Sequence, residues 1–328
     1  MLANLAIIIV GFALLIGGAN LLVDGASDIA RRFGLPERVV GLTIVAIGTS
    51  LPELVVGVAS ALEGHADMAY GNVVGSCMAN LLLILGLTAV IRPVGLSRRT
   101  QRFEIPVSVA AVLALLAFSN LGQGLNALEG VAMLVAFVLF LLRTAQVGLR
   151  EGESGQDDTD PLGTPEEEAE AGLMARLTAH PLVNALLIFV GIALLKVGAD
   201  FVVENSVLVA GSLGVSERVI GITVVALGTC LPELVTGVVA AMRGNTDIAV
   251  GNVVGSNISN VLLVMGVPAM IASIPYDAAY NVDLGLLAVF SVVLVGFCYV
   301  GRRHTITRGQ GLVFVMAYLV YIVFSTLR

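Results

Sequence analysis

Ten runs of about twenty mainly apolar residues follow one another along the chain, at 3–29, 36–63, 67–91, 103–120, 127–147, 180–206, 216–242, 247–273, 283–301 and 309–327. A helix of that length crosses the hydrocarbon core of a bilayer. Open sheets and loops cannot, because lipid offers no hydrogen bond to an unpaired backbone group. The expected fold is therefore an all-α polytopic membrane protein with ten transmembrane helices. Composition agrees, with 57% hydrophobic and only 12% charged residues, about half the charge of a water-soluble domain. The first run, MLANLAIIIVGFALLIGGAN, lacks the basic start of a signal peptide and reads as a retained first helix.

Charge sets the direction of the runs. Of the 17 basic residues, 14 arginines, among them Arg31, Arg98, Arg143 and Arg303, fall in segments on one side. Arg218 and Arg328 fall on the other, and Lys196 lies inside a run. Basic loops stay in the cytoplasm, which puts both termini outside and the segment 148–178 in the cytoplasm of a cell-membrane protein. Nine of the 24 acids lie between Glu151 and Glu170, so the net charge of −7 belongs to one loop and supports no nucleic-acid partner. That loop has too little apolar surface to offset its ordering entropy and reads as a linker, with a weak cation-sensing or regulatory segment, suggested by its acidity alone, as the alternative. It separates a first half, 1–147, from a second, 179–328. Cys77, Cys230 and Cys298 lie in apolar runs and form neither a disulfide framework nor a CxxC site. The lone His65, His180 and His304, near predicted interfaces, read as solvated.

Self-comparison is more informative than any single motif. A shift of 180 residues aligns GLTIVAIGTSLPELVVGVASALEGHADMAYGNVVGSCMANLLLILG, residues 41–86, with GITVVALGTCLPELVTGVVAAMRGNTDIAVGNVVGSNISNVLLVMG, residues 221–266, and 27 of 46 positions are identical. The chain is an internal duplication. Each half holds five helices, an odd number, so the second copy must enter the bilayer from the opposite side. Two inverted five-helix repeats are an architecture of secondary transporters, which expose one midplane site alternately to two faces.

Within each copy the polar residues are few and fall inside apolar runs. Thr49, Ser50, Pro52 and Glu53 stand in the first, and Thr229, Cys230, Pro232 and Glu233 in the second. Proline removes an amide donor, so Pro52 is expected to free carbonyls near Ile47 and Gly48, and Pro232 those near Leu227 and Gly228. An intramembrane carboxylate costs at least about 2–3 kcal/mol, and no basic residue is near Glu53 or Glu233 in sequence. A bound cation is the natural counter-charge. The next run adds Asn72, Ser76 and Asn80, matched by Asn252, Ser256 and Asn260, at intervals of four that make one polar helix face. The Asn/Ser stripe reads as ligands or their supports, with Asn72 and Asn252 the structural pair. The GxxxG patterns at Gly71/Gly75 and Gly251/Gly255 read as close packing. Two carboxylates with amide, hydroxyl and carbonyl oxygens suit hard cations, Ca²⁺ above all. Their two negative charges balance one Ca²⁺, a small group of Na⁺ ions, or two protons.

At GTSLPELVVG with GNVVGSCMANLLLILG, and at GTCLPELVTG with GNVVGSNISNVLLVMG, the sequence resembles the cation/Ca²⁺ antiporter superfamily, specifically its prokaryotic Na⁺/Ca²⁺ exchanger branch. The resemblance covers essentially the whole chain. It implies an ion-binding core of helices 2, 3, 7 and 8, with helices 1 and 6 sliding across it as a gate. It matches the family's central acids to Glu53 and Glu233, which would hold Ca²⁺ together with the carbonyls of Thr49 and Thr229. It also implies that Ala46, Ser50, Ser76, Ala226 and Ser256 contribute oxygens to flanking Na⁺ sites, and that Asn80 and Asn260 complete the centre. Some relatives carry an aspartate at the second of these, so this site has two carboxylates rather than three. Cys230 stands where a serine is usual, and a thiol is a poor ligand for a hard ion.

The sequence thus reads as a Ca²⁺/Na⁺ antiporter without catalysis or cofactor, its partners being the transported ions and the bilayer. Na⁺ coupling is placed ahead of H⁺/Ca²⁺ or K⁺-involving exchange. Three rivals remain: a cation channel, which could use the same oxygens but would conduct without a counter-ion; an intramembrane glutamate hydrolase, for which no further nucleophile or metal set is present; and a structural scaffold, which leaves two matching intramembrane acids unexplained. Lys196 with Asp200 and Glu204, like Asn20, Asp24 and Asp28, reads as a salt-bridged or snorkelling set near a helix end, with a gate role as the alternative.

Overall fold

The structure, a computed structural model, describes residues 2–154, 181–213, 228–297, 299–300 and 304–327. The acidic segment from 155 on, His180, Ala226 and Cys298 lie outside the described residues. Among the described residues it is built of helices: α1 Leu2–Phe33, α2 Glu37–Thr49, α3 Leu51–Glu63, α4 Ala66–Ile91, α5 Thr100–Leu121, α6 Ala127–Ser154, α7 Pro181–Ser212, α8 Leu231–Met242, α9 Thr246–Ile271, α10 Tyr280–Phe297 and α11 Arg308–Leu327. Eight of these are long and apolar enough to cross a membrane, nine when α2 and α3 count as one bent span. The expected run 216–242 is described only from Gly228. The chain is a multi-pass membrane protein.

Burial divides the helices. The apolar window of α9 is 94% buried and that of α4 72%, against 39% or less for every other long span. These two central helices are also the ones that carry the polar stripe. A helix apolar on all sides can face lipid, whereas one with a polar face must hide it inside the protein. Around them the buried side chains fall into two clusters. The larger joins α4 and α9 to α5, α6, α10 and α11 through residues such as Leu82, Leu115, Phe137 and Phe314. The smaller joins α1 and α7 to one side of α2, α8 and α9 through Leu15, Leu22, Val45, Leu195 and Ala240.

Helices α1 and α7 lie antiparallel and touch backbone to backbone. A methyl added at Gly18 would stand 2.7 Å from the Gly191 carbonyl, and one at Gly198 2.7 Å from that of Gly11. Only glycine permits that approach.

Two short ladders tie the loops. β1 (Val94–Gly95) pairs with β4 (Thr305–Ile306), and β2 (Gly124–Leu125) with β3 (Ile274–Pro275), both antiparallel. A shift of 180 carries β1 onto β3 and one of 181 carries β2 onto β4, so each ladder is the repeat counterpart of the other. The glycine contacts follow the same rule: Gly86 meets Gly311, and Gly266 meets Gly130.

The sequence reading missed a buried ion pair. Arg38 at the start of α2 reaches Glu104 on α5, Nε to Oε1 3.7 Å, both almost wholly buried, and Arg99 approaches the same oxygen at 3.7 Å. His304, expected to be solvated, is half-buried and bonded to Gln101.

Candidate cation-binding site

The break expected from proline is present, but it falls later than the sequence suggested. α2 ends at Thr49, and the chain bends by 45° before α3 begins at Leu51. Ser50 is the hinge, at φ −85° and ψ 4°. Cys230, its counterpart before α8, has φ −87° and ψ 1°. Pro52 and Pro232 therefore stand in the first turn of a new helix, where a missing N–H costs nothing. They are not mid-helix residues. Pro52 still has no N–H to offer the carbonyl of Gly48, while Ser50 N–H donates to Ala46 O at 3.1 Å and Leu54 N–H to Ser50 O at 3.1 Å.

This local fold aims the chemistry. Glu53 and Glu233 lie in the first turns of α3 and α8, where the positive end of the helix dipole favours an anion. The carbonyls closing α2 form the negative end of the preceding helix and favour a cation. Discontinuous helices meeting at membrane depth are a means of holding ions there.

The two halves meet at these residues. Thr49 Oγ1 donates to Asn252 Oδ1 at 3.2 Å, and Ser50 Oγ lies 3.1 Å from Ser259 Oγ. Ser76 lies near the Glu53 carboxylate and Thr49 near that of Glu233, neither within hydrogen-bond distance. The two glutamates are within electrostatic reach of one another. Cys77 Sγ reaches the carbonyl of Asn257, its own repeat counterpart, at 3.8 Å. Counterpart residues can touch only where the two copies meet.

All of this is buried. Glu53, Asn80, Ser256 and Asn260 are 0% exposed and Glu233 1%. Both carboxylate oxygens of each glutamate, both amide atoms of Asn80 and Asn260, and the hydroxyl of Ser256 have no hydrogen-bond partner among the described residues. Ordinary buried polar groups are paired, since an unpaired one costs about 1–3 kcal/mol and an unpaired charge more. A set of orphaned oxygens around two acids fits a hard cation, which takes oxygens in flexible number.

Of the residues singled out from sequence, Ala46, Thr49, Ser50, Glu53, Ser76, Asn80, Cys230, Glu233, Ser256 and Asn260 are all buried, and Thr229 is half-buried. Ala226 lies outside the described residues. Asn72 and Asn252 act in the same way in the two copies: each amide donates to the backbone carbonyl of its own glutamate, Glu53 O at 3.2 Å and Glu233 O at 3.4 Å. Sequence reasoning missed Thr236, Asn257 and Ser259, all buried beside the site. It also missed the π-helical turns at Ala79–Ile84 and Asn260–Val264, the first beginning next to Asn80 and the second at Asn260. Such bulges are frequent at functional sites. Lys196 is bound to Asp200 at 2.5 Å, both half-exposed, and its ammonium is within electrostatic reach of Glu53. Asp24 pairs with Arg243.

Comparison with known proteins points the same way. The family model described as "Sodium/calcium exchanger protein" matches residues 3–145 and 183–327. Inner membrane protein YrbG of Escherichia coli is 36% identical over 98% of this chain and 96% of its own. The sodium/calcium exchanger MaX1 of Methanosarcina acetivorans is 30% identical over 98% of this chain and 97% of its own. The solved structure of the sodium-calcium exchanger NCX_Mj, soaked with Na⁺ and Ca²⁺, superposes with a TM-score of 0.81 at 29% identity, covering 98% of each chain. The chain belongs to the sodium/calcium exchanger family.

Proposed function

We propose that this protein is a secondary antiporter exchanging Ca²⁺ for Na⁺ by alternating access, with both ions competing for oxygens around Glu53 and Glu233. The observation that carries the reading is the pair of repeat-related glutamates, 0% and 1% exposed, whose four carboxylate oxygens have no hydrogen-bond partner among the described residues. Ca²⁺ would sit between them with the carbonyls of Thr49 and Thr229. Asn80 and Asn260 complete the centre, and Ala46, Ser50, Ser76, Ala226 and Ser256 supply flanking Na⁺ sites. The exchange activity named for MaX1 and NCX_Mj supports this assignment.

Ten helices in two inverted halves, both termini outside and the acidic segment cytoplasmic, complete the proposed topology. The reciprocal ladders and the Cys77–Asn257 contact support a two-fold relation between the halves. Helices α1 and α7 slide over the core as a gate, a role supported by the smaller hydrophobic cluster, which sets them together against one side of α2, α8 and α9. Coupling follows from charge: with ions bound the site is neutral and can be crossed by the gate, whereas two bare carboxylates resist exposure to apolar surroundings.

Radiolabelled Ca²⁺ uptake into proteoliposomes under imposed Na⁺, K⁺ and pH gradients tests the reading. Uptake is expected to follow an outward Na⁺ gradient. Glu53→Gln and Glu233→Gln should each abolish it, with the protein still eluting as a monodisperse species. Full activity in both variants rejects the ligand assignment. A second reading, H⁺/Ca²⁺ exchange, is favoured by one observation, the buried thiol of Cys230 in place of a hydroxyl; uptake driven by pH alone would establish it.

A further inference from the structure

Beside the start of α5 lies a pocket of about 200 Å³ that the exchange site does not use, lined by Arg98, Gln101, Arg102, Tyr299 and His304. It sits at the ends of the spans Thr100–Leu121 and Tyr280–Phe297 and just before Arg308–Ser325. By span length, that is the level of the lipid headgroups, where aromatic and basic side chains gather. Arg98 and Arg102, one helical turn apart and both exposed, have no ion-pair partner among the described residues. Their neighbour Arg99 turns inward to Glu104. The helix thus commits one arginine to the interior and leaves two at the pocket, next to its own positive end.

The opposite wall is held in a fixed shape. His304 has φ 59°, a left-handed backbone conformation that a residue other than glycine seldom adopts. The β1–β4 ladder and the bond from Leu96 N–H to His304 O at 2.8 Å keep it there. Gln101, 3% exposed, donates from Nε2 to Leu96 O at 2.9 Å, so its Oε1 accepts from His304 Nδ1 at 2.9 Å. That leaves Nε2 as the ring nitrogen without a partner among the described residues. Tyr299 stands edge-on to the imidazole, with ring centroids 6.5 Å apart.

We propose that this pocket binds the phosphodiester of an anionic phospholipid, with Arg98 and Arg102 gripping the phosphate and His304 and Tyr299 forming its wall. Arginine suits the role because its planar fork bonds phosphate at two points. The bilayer holds phosphodiesters permanently at this depth, and the inference needs only the membrane setting, not the exchange reading. Free phosphate and the chain's own acidic segment, residues 151–170, are the competing anions.

The test uses the full chain in detergent, titrated in turn with short-chain phosphatidylglycerol, phosphatidylcholine of equal chain length, inorganic phosphate and a peptide of residues 151–170. Phosphatidylglycerol is expected to bind at least about tenfold more tightly than each of the others. Arg98→Gln with Arg102→Gln should weaken it about 30-fold, the worth of two arginines at a membrane surface. Arg98→Lys with Arg102→Lys, which keeps the charge but not the fork, should fall between. His304→Asn, which tolerates the left-handed backbone, should weaken binding several-fold. Equal binding of phosphatidylcholine, or an undiminished preference in both double variants, overturns the proposal. Tighter binding of inorganic phosphate makes the pocket a free-anion site, and tighter binding of the peptide makes it a dock for the linker; either result also overturns it.

Discussion

A glutamate in the first turn of a buried helix is partly compensated by the backbone before any ion arrives. This is why Glu53 and Glu233 can lie 0% and 1% exposed without an arginine beside them. The helix end supplies about half a charge, and the cation of the proposed site would supply the rest. The identity of these two residues was legible in the sequence because duplication marked them twice. Their setting was not, since a proline in an apolar run reads as a kink, whereas here it opens a new helix after Ser50 and after Cys230. The same hinge position holds a hydroxyl in one copy and a thiol in the other. Ser50 uses its hydroxyl on Ser259, 3.1 Å away, while Cys230 offers only sulfur. Cys230→Ser should therefore strengthen Na⁺ binding. With a hydrogen-bonded hydroxyl worth about 1 kcal/mol, the Na⁺ concentration giving half-maximal Ca²⁺ exchange should drop about fivefold in proteoliposomes. An unchanged Na⁺ dependence would separate this position from the ion shell.

At the scale of the element, the polar stripe of α4 and α9 was visible as a four-residue spacing, but its π-helical turns were not. A bulge adds one residue to a turn without disturbing apolar composition, so hydropathy carries no trace of it. The same holds for the ion pair between α2 and α5. Arg38 lay among the loop arginines that set topology, and only the fold carries it to Glu104, 66 residues away in sequence, where both are 6% exposed or less. Removing one member of such a pair strands the other charge, at a cost of about 3–5 kcal/mol. Glu104→Leu is accordingly expected to lower the temperature at which the protein survives heating as a monodisperse peak on gel filtration. A milder loss is expected for Arg99→Leu, whose side chain is 20% exposed and can reach water. Equal losses in the two variants would contradict the assignment of Arg38 as the main partner.

For the whole molecule, ten apolar runs and a 180-residue shift made the helical membrane architecture legible, because both signals are carried by many residues at once. The packing of α1 and α7 together on one side of α2, α8 and α9 was legible only through the family resemblance, because the apolar runs themselves carry no record of which helices they touch. α7 crosses both helix breaks: Ile192 packs on Gly48, and Val203 on Gly228, the repeat counterpart of Gly48. One helix therefore covers both ends of the site, and a gate that slides must change these two contacts together. In a background with Cys77, Cys230 and Cys298 replaced by alanine, Gly48→Cys with Ile192→Cys places two thiols at a contact belonging to one position of the gate. Oxidation is expected to stop Ca²⁺ uptake, and reduction to restore it to the level of the unoxidised double variant. Either single cysteine should be insensitive to the same oxidant. A cross-linked protein that still exchanged Ca²⁺ at the uncross-linked rate would mean that α7 stays fixed on α2 during transport, and the moving part would then have to be sought among the helices of the larger cluster.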